Sequence, residues 1–250
     1  MFQNIIITMA GKGTRFIDAG YNQPKYMIKA HNKTLFRWSL ESLRNFFRGN
    51  FKLIFVTLKE HDVKKFIELE CLNLGLKEIY IYELDLATDG QATSAYNSHP
   101  LWHINEPLLI YNIDTYVNPR SLSSSKIRLN SDGWIPCFKA NGNHWSFVSL
   151  NQDSWAENVS EKNRISEHAS IGLYWFKNAE DYLIAYEDFF LRHINEINSE
   201  KYIAPLYNHF IANKKKISVS NILYNDVYPL GTPIELVQFM SKDYTEITAS

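Results

Sequence analysis

One short run, Asn4-Ile5-Ile6-Ile7-Thr8-Met9, constrains this chain more than any other stretch. It is apolar and β-branched, long enough for a strand buried on both faces and too short for a helix. It stops at Ala10-Gly11-Lys12-Gly13-Thr14-Arg15-Phe16, where small residues and cations abruptly replace branched apolar ones. A buried strand that runs into a glycine-rich turn leaves backbone N–H groups free to converge on an anion. Glycine suits that turn because it reaches positive φ and lets a ligand approach the main chain. Arg15 adds a planar, permanently charged fork suited to phosphate oxygens. Pro24-Lys25 then brings a second cation beside a residue of fixed φ. Two cations and a nest of amides on one loop match a triphosphate.

Two better-known glycine motifs are absent. A P-loop needs Gly-Lys-Ser/Thr at a fixed spacing after the first glycine, and none follows Gly11. The dinucleotide fingerprint G-x-G-x-x-G would need glycine where this chain has Phe16. A net charge of −1 over 250 residues argues against nucleic-acid binding by counterion release, so any phosphate site is a local cluster of cations. Cys71 and Cys137 are the only cysteines and lack metal or disulfide spacing, which fits a reducing compartment. The N-terminal apolar run is too short for a secretory signal, and no window approaches a membrane span. A cytoplasmic protein with no membrane partner is expected. Aromatics at 14% leave room for a homo-oligomer interface without locating one.

Along the chain, Thr34 to Arg48 reads as an amphipathic helix capped by Thr34. Phe51 to Leu58 is a second buried strand, His61 to Leu74 a helix stopped by Gly75, and Glu78 to Glu83 an alternating strand. That alternation predicts a parallel, three-layer α/β sheet. Asp89-Gly90 turns the chain, and Gln91 to Asn97 starts a helix whose small residues Ala92, Thr93, Ser94 and Ala95 let a flat ring approach the backbone. An amide at Gln91 offers donor and acceptor together, which suits a pyrimidine edge. Leu108 to Asp114 is an apolar strand ending in a carboxylate, placed at the sheet edge where open α/β folds keep their ligands. A hard carboxylate beside a triphosphate is the usual protein ligand of Mg²⁺.

Beyond residue 120 the pattern changes. Gly133 to Lys139 and His144 to Leu150 flank Ala140-Asn141-Gly142-Asn143, which predicts a hairpin. Ala169 to Phe176 reads as one strand, Ala179 to Ile194 as a helix, Glu200 to Ile211 as a helix broken near Pro205, and Ile217 to Leu223 as a strand. With no repeat or linker, the whole of 1–250 is expected to be one domain, in which the family resemblance set out below implies 1–120 mainly for the nucleotide and 121–250 mainly for the acceptor.

The ordered motifs G-x-G-T-R-F, Pro24-Lys25, Gly90-Gln91-Ala92, Asn112-x-Asp114, Glu161-Lys162 and Gly231-Thr232-Pro233 resemble those of the bacterial nucleotidyltransferases. The likeness is to enzymes that make activated sugars, or phosphocholine- and phosphoglutamine-type headgroups, for capsule and lipopolysaccharide. It implies a Rossmann-like (GT-A-like) α/β/α fold with a mostly parallel sheet and a small antiparallel insertion. It implies transfer of NMP from CTP or UTP/dTTP to a phosphorylated small molecule, with Mg²⁺ and release of pyrophosphate. The resemblance puts Met9, Ala10, Gly11, Gly13, Thr14, Gly90, Gln91, Ala92 and Asn112 at the nucleotide. Arg15, Lys25 and Lys162 fall on the catalytic cations, and Glu161, Gly172, Tyr174, Tyr202 and Asn208 on acceptor contacts.

The metal would sit on Asp114. Sugar-1-phosphate members usually carry a second aspartate two residues before Gly-Thr, where this chain has Pro229; Asp226, three residues earlier, substitutes only if the strand is bulged. Tyr26 also stands where sugar enzymes often have a second proline. Two other classes remain as alternatives. An NDP-sugar glycosyltransferase usually wants Asp-x-Asp at the strand end, but the run here is Asp114-Thr115-Tyr116. A non-catalytic nucleotide-binding module would explain the missing aspartate.

Overall fold

In the computed structural model the described residues are 2–192 and 200–248. The first strand, β1 (Phe2–Thr8), is followed by the short helix α1 (Thr14–Asp18) and a minimal ribbon, β2 (Lys29–Ala30) with β3 (Lys33–Thr34). Then come α2 (Leu35–Ser42), β4 (Asn50–Leu58), α3 (Lys64–Asn73), β5 (Ile79–Leu84), α4 (Gln91–Asn97) and β6 (Leu108–Asn112). Strands β6, β1, β4 and β5 lie side by side and parallel. Their residues alternate between two cores. Ile6, Ile54, Val56 and Ile110 pack on one face, Ile5, Ile7, Phe55 and Tyr111 on the other. Period-2 alternation with both faces apolar is what a three-layer architecture demands.

The second half extends the same sheet. Strands β7 (Thr115–Val117), β8 (Gly133–Lys139), β9 (Ser146–Leu150), β10 (Ala156–Glu161), β11 (His168–Ser170) and β12 (Leu173–Phe176) precede α5 (Ala179–Tyr186) and α6 (Tyr207–Ala212). Strands β13 (Ile217–Ile222) and β14 (Val227–Pro229) and helices α7 (Pro233–Met240) and α8 (Tyr244–Thr248) follow. The ten-stranded sheet runs β10-β9-β11-β8-β12-β6-β1-β4-β5, with β13 on β8. Only β10, β11 and β12 oppose the common direction, so the sheet is mostly parallel in sense. Helices α4, α5 and α6 cover one face, α2 and α3 the other. A third cluster around Trp38, Tyr116, Tyr228 and Phe239 seats α7 and the β7–β14 ribbon.

Several local expectations need correction. Strands β8 and β9 do not form a hairpin, because β11 is inserted between them and Ala169 pairs with both Phe138 and Phe147. The true hairpin is β9–β10, whose turn is tied by Asn151 Oδ1 accepting from the Asp153 and Trp155 N–H groups. The single strand over Ala169–Phe176 is broken at Ile171-Gly172, where Gly172 adopts φ 81°. Helix α2 ends at Ser42 rather than Arg48, and α3 starts at Lys64 rather than His61. The helix from Ala179 loosens into a π turn over Glu187–Leu191, and its expected end at Ile194 lies outside the described residues. The helix expected from Glu200 begins only at Tyr207, because the Lys201 backbone pairs with Asp89 and Ala92 instead. Among the described residues no helix is long and apolar enough to cross a membrane.

Candidate functional site

Parallel pairing decides where the chemistry gathers. Thr8 is in register with Asn112, so the glycine loop after β1 and the Ile113–Asp114 turn after β6 leave the sheet at one edge. Gln91, the first residue of α4, spans the two strand ends: its Nε2 donates to Thr8 Oγ1 (2.9 Å) and to Asn112 Oδ1. Thr8 Oγ1 in turn donates to the Tyr111 carbonyl (3.4 Å). Both amide hydrogens of Gln91 are therefore used inside the protein, and its carbonyl oxygen is the face left for a ligand. That corrects the expectation of a donor and acceptor offered together. Thr8, read at first only as strand, belongs to this network.

The glycine loop has the character its composition predicts. The N–H groups of Gly11, Lys12 and Gly13 find no acceptor among the described residues. Gly13 adopts positive φ and Gly11 does not. Thr14 and Arg15 open α1, and the exposed Arg15 guanidinium forms no ion pair or hydrogen bond among the described residues. Met9 and Ala10 are buried beneath the loop.

Lys25 reaches across to the other turn and places its Nζ 2.6 Å from Asp114 Oδ2. Both are mostly sheltered, at 18% and 27% side-chain exposure. The turn that carries Asp114 is held at every carbonyl: Ser39 Oγ donates to Ile113 O (2.8 Å), Leu230 N to Asp114 O (2.8 Å) and Tyr111 Oη to Thr115 O (2.7 Å). Lys25 is anchored through its neighbour. Tyr26 is buried, its phenol is pushed up to about 12 by that burial, and its hydroxyl shares a hydrogen bond with His61 Nδ1 at 2.9 Å. Burial also holds the His61 imidazole below its usual range, against the pull of Glu60, which keeps it an acceptor.

The second half supplies a wall on the base side and a polar cluster beyond it. Lys201 N donates to Asp89 O (2.8 Å), its Nζ pairs with Asp89 Oδ2 (2.8 Å), and Ala92 N donates to Lys201 O (3.0 Å). Gly90 is so close to the Lys201 backbone that no side chain fits there. Glu161 ends β10 and Lys162 follows it. Ser146 Oγ donates to Glu161, and burial raises the Glu161 carboxyl above its ordinary range. Lys162 sits at φ 54° with its Nζ bonded to Tyr202 Oη and 3.9 Å from Glu200 Oε2. The Tyr202 hydroxyl donates to Glu200. Nothing in the sequence pattern singled out Glu200 or Lys201. Their signal was masked by the expectation of a helix.

Three expected site residues are committed elsewhere. Asn208 accepts from Val159 N (2.8 Å) and donates to Val159 O (2.7 Å), so its amide ties α6 to β10. Tyr174 is 4% exposed and lies behind Ser146, its phenol pushed up to about 12 by burial. Asp226 is 1% exposed, 2.6 Å from Arg120 Nη2, and accepts from Ser121 Oγ. In the β7–β14 ribbon Pro229 opposes Thr115, whereas the Asp226 carbonyl accepts from Asn118 N. At about 3.4 Å per strand residue, Asp226 stands roughly 13 Å along the ribbon from the Asp114 end. It cannot share a cation with Asp114. Gly172 does reach the site: its carbonyl accepts from Asn112 N (3.1 Å).

No family model and no curated protein matches the chain. Solved structures do. An inositol-1-phosphate CTP transferase from T. maritima superposes with TM-score 0.77 at 16% identity, over 99% of this chain and 98% of its own. A protein assigned as a glucose-1-phosphate thymidylyltransferase from Bacillus anthracis, crystallised with sucrose, gives TM-score 0.72 at 12% identity, over 97% of each. Those two establish the fold. A nucleoside-diphosphate-sugar pyrophosphorylase from Vibrio cholerae RC9 is 34% identical over 95% of this chain and 100% of its own, with TM-score 0.87. At that identity across the whole length, with a glycine loop and strand-end aspartate meeting at one sheet edge, the chain belongs to the sugar-1-phosphate nucleotidyltransferase family.

Proposed function

We propose that this enzyme transfers NMP from a pyrimidine NTP, CTP or UTP/dTTP, to a phosphorylated small molecule and releases pyrophosphate. The observation that carries the reading is the meeting of three groups at one edge: unpaired loop amides, Lys25 and Asp114. An acceptor phosphate oxygen attacks the α-phosphorus, the bond to the β-phosphate bridging oxygen breaks, and the electron pair leaves with pyrophosphate. No enzymic nucleophile is needed, so the protein positions groups and neutralises charge. The amides of Gly11 and Gly13 and the Arg15 fork hold the β- and γ-phosphates. Lys25 follows the charge that builds at the α-phosphate, and Lys162 restrains the acceptor phosphate.

The donor set fits a hard divalent cation of the Mg²⁺ kind. Such an ion keeps several waters and takes one or two carboxylates plus phosphate oxygens. Asp114 offers that carboxylate, and no group of three or more His, Cys, Asp or Glu is assembled among the described residues. When bound, the ion neutralises triphosphate charge. Meanwhile Lys25 occupies the Asp114 oxygen. The acceptor is a sugar 1-phosphate or a phosphocholine- or phosphoglutamine-type headgroup, and the product is an activated precursor of a capsular or lipopolysaccharide glycan in the cytoplasm.

Incubation with each NTP, Mg²⁺ and a panel of phosphorylated acceptors tests this reading. Acceptor-dependent pyrophosphate release is expected with a pyrimidine NTP. Cleavage of an NDP-sugar without any use of NTP would overturn the reading in favour of a glycosyltransferase.

A further inference from the structure

The strand position opposite Thr115 is Pro229, so β14 offers no carboxylate to the Asp114 turn. Helix α7 starts four residues later and brings one. Thr232 caps it, its Oγ1 accepting from Glu235 N at 3.2 Å. The spacing Thr232-x-x-Glu235 is that of a capping box, in which the glutamate would reach back to the Thr232 N–H. Here that return bond is not made, and the Glu235 carboxylate has no hydrogen-bond or ion-pair partner among the described residues. It lies instead beside Gly231. A methyl carbon built on Gly231 would stand 3.3 Å from Asp114 Oδ2 and 3.6 Å from Glu235 Oε2. Both carboxylate oxygens thus border the position that a side chain at residue 231 would take. Gly231 does not have a positive φ, so backbone conformation does not demand glycine there.

We infer that Glu235 is the second carboxylate for the divalent cation, held across the Gly231 gap from Asp114. This rests on the nucleotidyltransferase reading above. Asp114 Oδ2, the oxygen that faces Gly231, carries Lys25 Nζ at 2.6 Å, so the cation would take this oxygen as Lys25 turns to the incoming triphosphate. An ion that keeps several waters and takes one or two carboxylates would be held by such a pair. Glu235 is then a positioning residue for the ion rather than a group that touches the reacting phosphorus.

The test uses the full chain, Mn²⁺ as the probe, and the α,β-methylene analogue of whichever NTP supports pyrophosphate release. Bound Mn²⁺ is read by electron paramagnetic resonance. Glu235→Gln keeps the shape and the Thr232 cap, and Gly231→Ala fills the gap without removing a charge. Each is expected to weaken Mn²⁺ binding about tenfold or more, the usual cost of losing an outer contact to a bound metal. Thermal melting of Glu235→Gln should match that of the unaltered protein. A Mn²⁺ titration of Glu235→Gln that superimposes on the unaltered protein overturns the inference and leaves the nucleotidyltransferase reading standing. An unaltered protein that neither releases pyrophosphate from any NTP nor retains Mn²⁺ overturns both.

Discussion

Lys25 and Asp114, 89 positions apart in the chain, close a 2.6 Å ion pair across the mouth of the nucleotide site. A cation thus already rests on the carboxylate expected to hold the metal. On the proposed reading, binding of Mg²⁺ with NTP moves Lys25 off Asp114 and onto the α-phosphate. The pair keeps both side chains extended into the site before substrate arrives, which lowers the ordering cost of binding.

Asp114→Ala removes one end of this arrangement. The loss of a positioned electrostatic contact of this type costs about 10²–10³ in rate. Turnover, followed as pyrophosphate release, should fall by that factor. The fold should survive, because the turn is held by Ser39, Tyr111 and Leu230 through its backbone rather than through the carboxylate. Near-normal turnover of Asp114→Ala at ordinary Mg²⁺ would remove the metal from this turn.

Gln91→Glu tests the floor of the base pocket. The substitution replaces two donors with acceptors facing Asn112 Oδ1 and Thr8 Oγ1. The Asn112 contact becomes repulsive, and the carboxylate must swing away from the strand ends. We expect KM for the NTP to rise about tenfold with a smaller change in kcat, as for a contact made equally in ground and transition states. Steady-state kinetics with each NTP decide it. An unchanged KM for every base would place the base elsewhere.

The parts legible in the sequence are those whose physics is local. The Ile5–Ile7 run, the glycine loop and the carboxylate after Leu108–Asn112 each announce themselves within ten residues, and parallel topology then brings them to one edge. Motif resemblance recovered the order of the rest. What stayed hidden depends on pairings of long range. The insertion of β11 between β8 and β9 leaves no trace in either strand's own pattern, since alternation is the same for any neighbour. Asn208 and Asp226 look like site residues until their partners, Val159 and Arg120, are known.

Gly172→Ala probes how tightly the second half closes on the first. A Cβ at this position would lie 2.5 Å from Asn112 Nδ2, and φ 81° is strained for any residue with a side chain. Such strain and collision together cost on the order of 1–3 kcal/mol. Urea unfolding should show that loss. KM for NTP should rise too, because Asn112 is the acceptor that orients Gln91. A variant as stable as the parent would mean that the β11–β12 break is free to rearrange.

Glu161 supplies the pH dependence. Burial raises its carboxyl, only partly offset by the Ser146 hydroxyl and Lys162, and the Glu200 charge adds to the rise. A folded-state value above the unfolded one means that the native protein binds the proton more tightly than the unfolded chain. The stabilisation is fully present below the unfolded glutamate value of about 4.3 and is lost as pH climbs through the raised folded value. At neutral pH the ionised carboxylate is therefore a liability to the fold, which the acceptor's hydroxyl donors would relieve. Glu161→Gln, neutral at every pH, should melt higher than the parent at pH 7, with the gap shrinking as pH falls towards 4. The same variant should raise KM for the acceptor and leave KM for NTP unchanged. Melting curves taken from pH 4 to 8 check the first expectation, and a gap that widened on acidification would reverse the assigned direction of the shift.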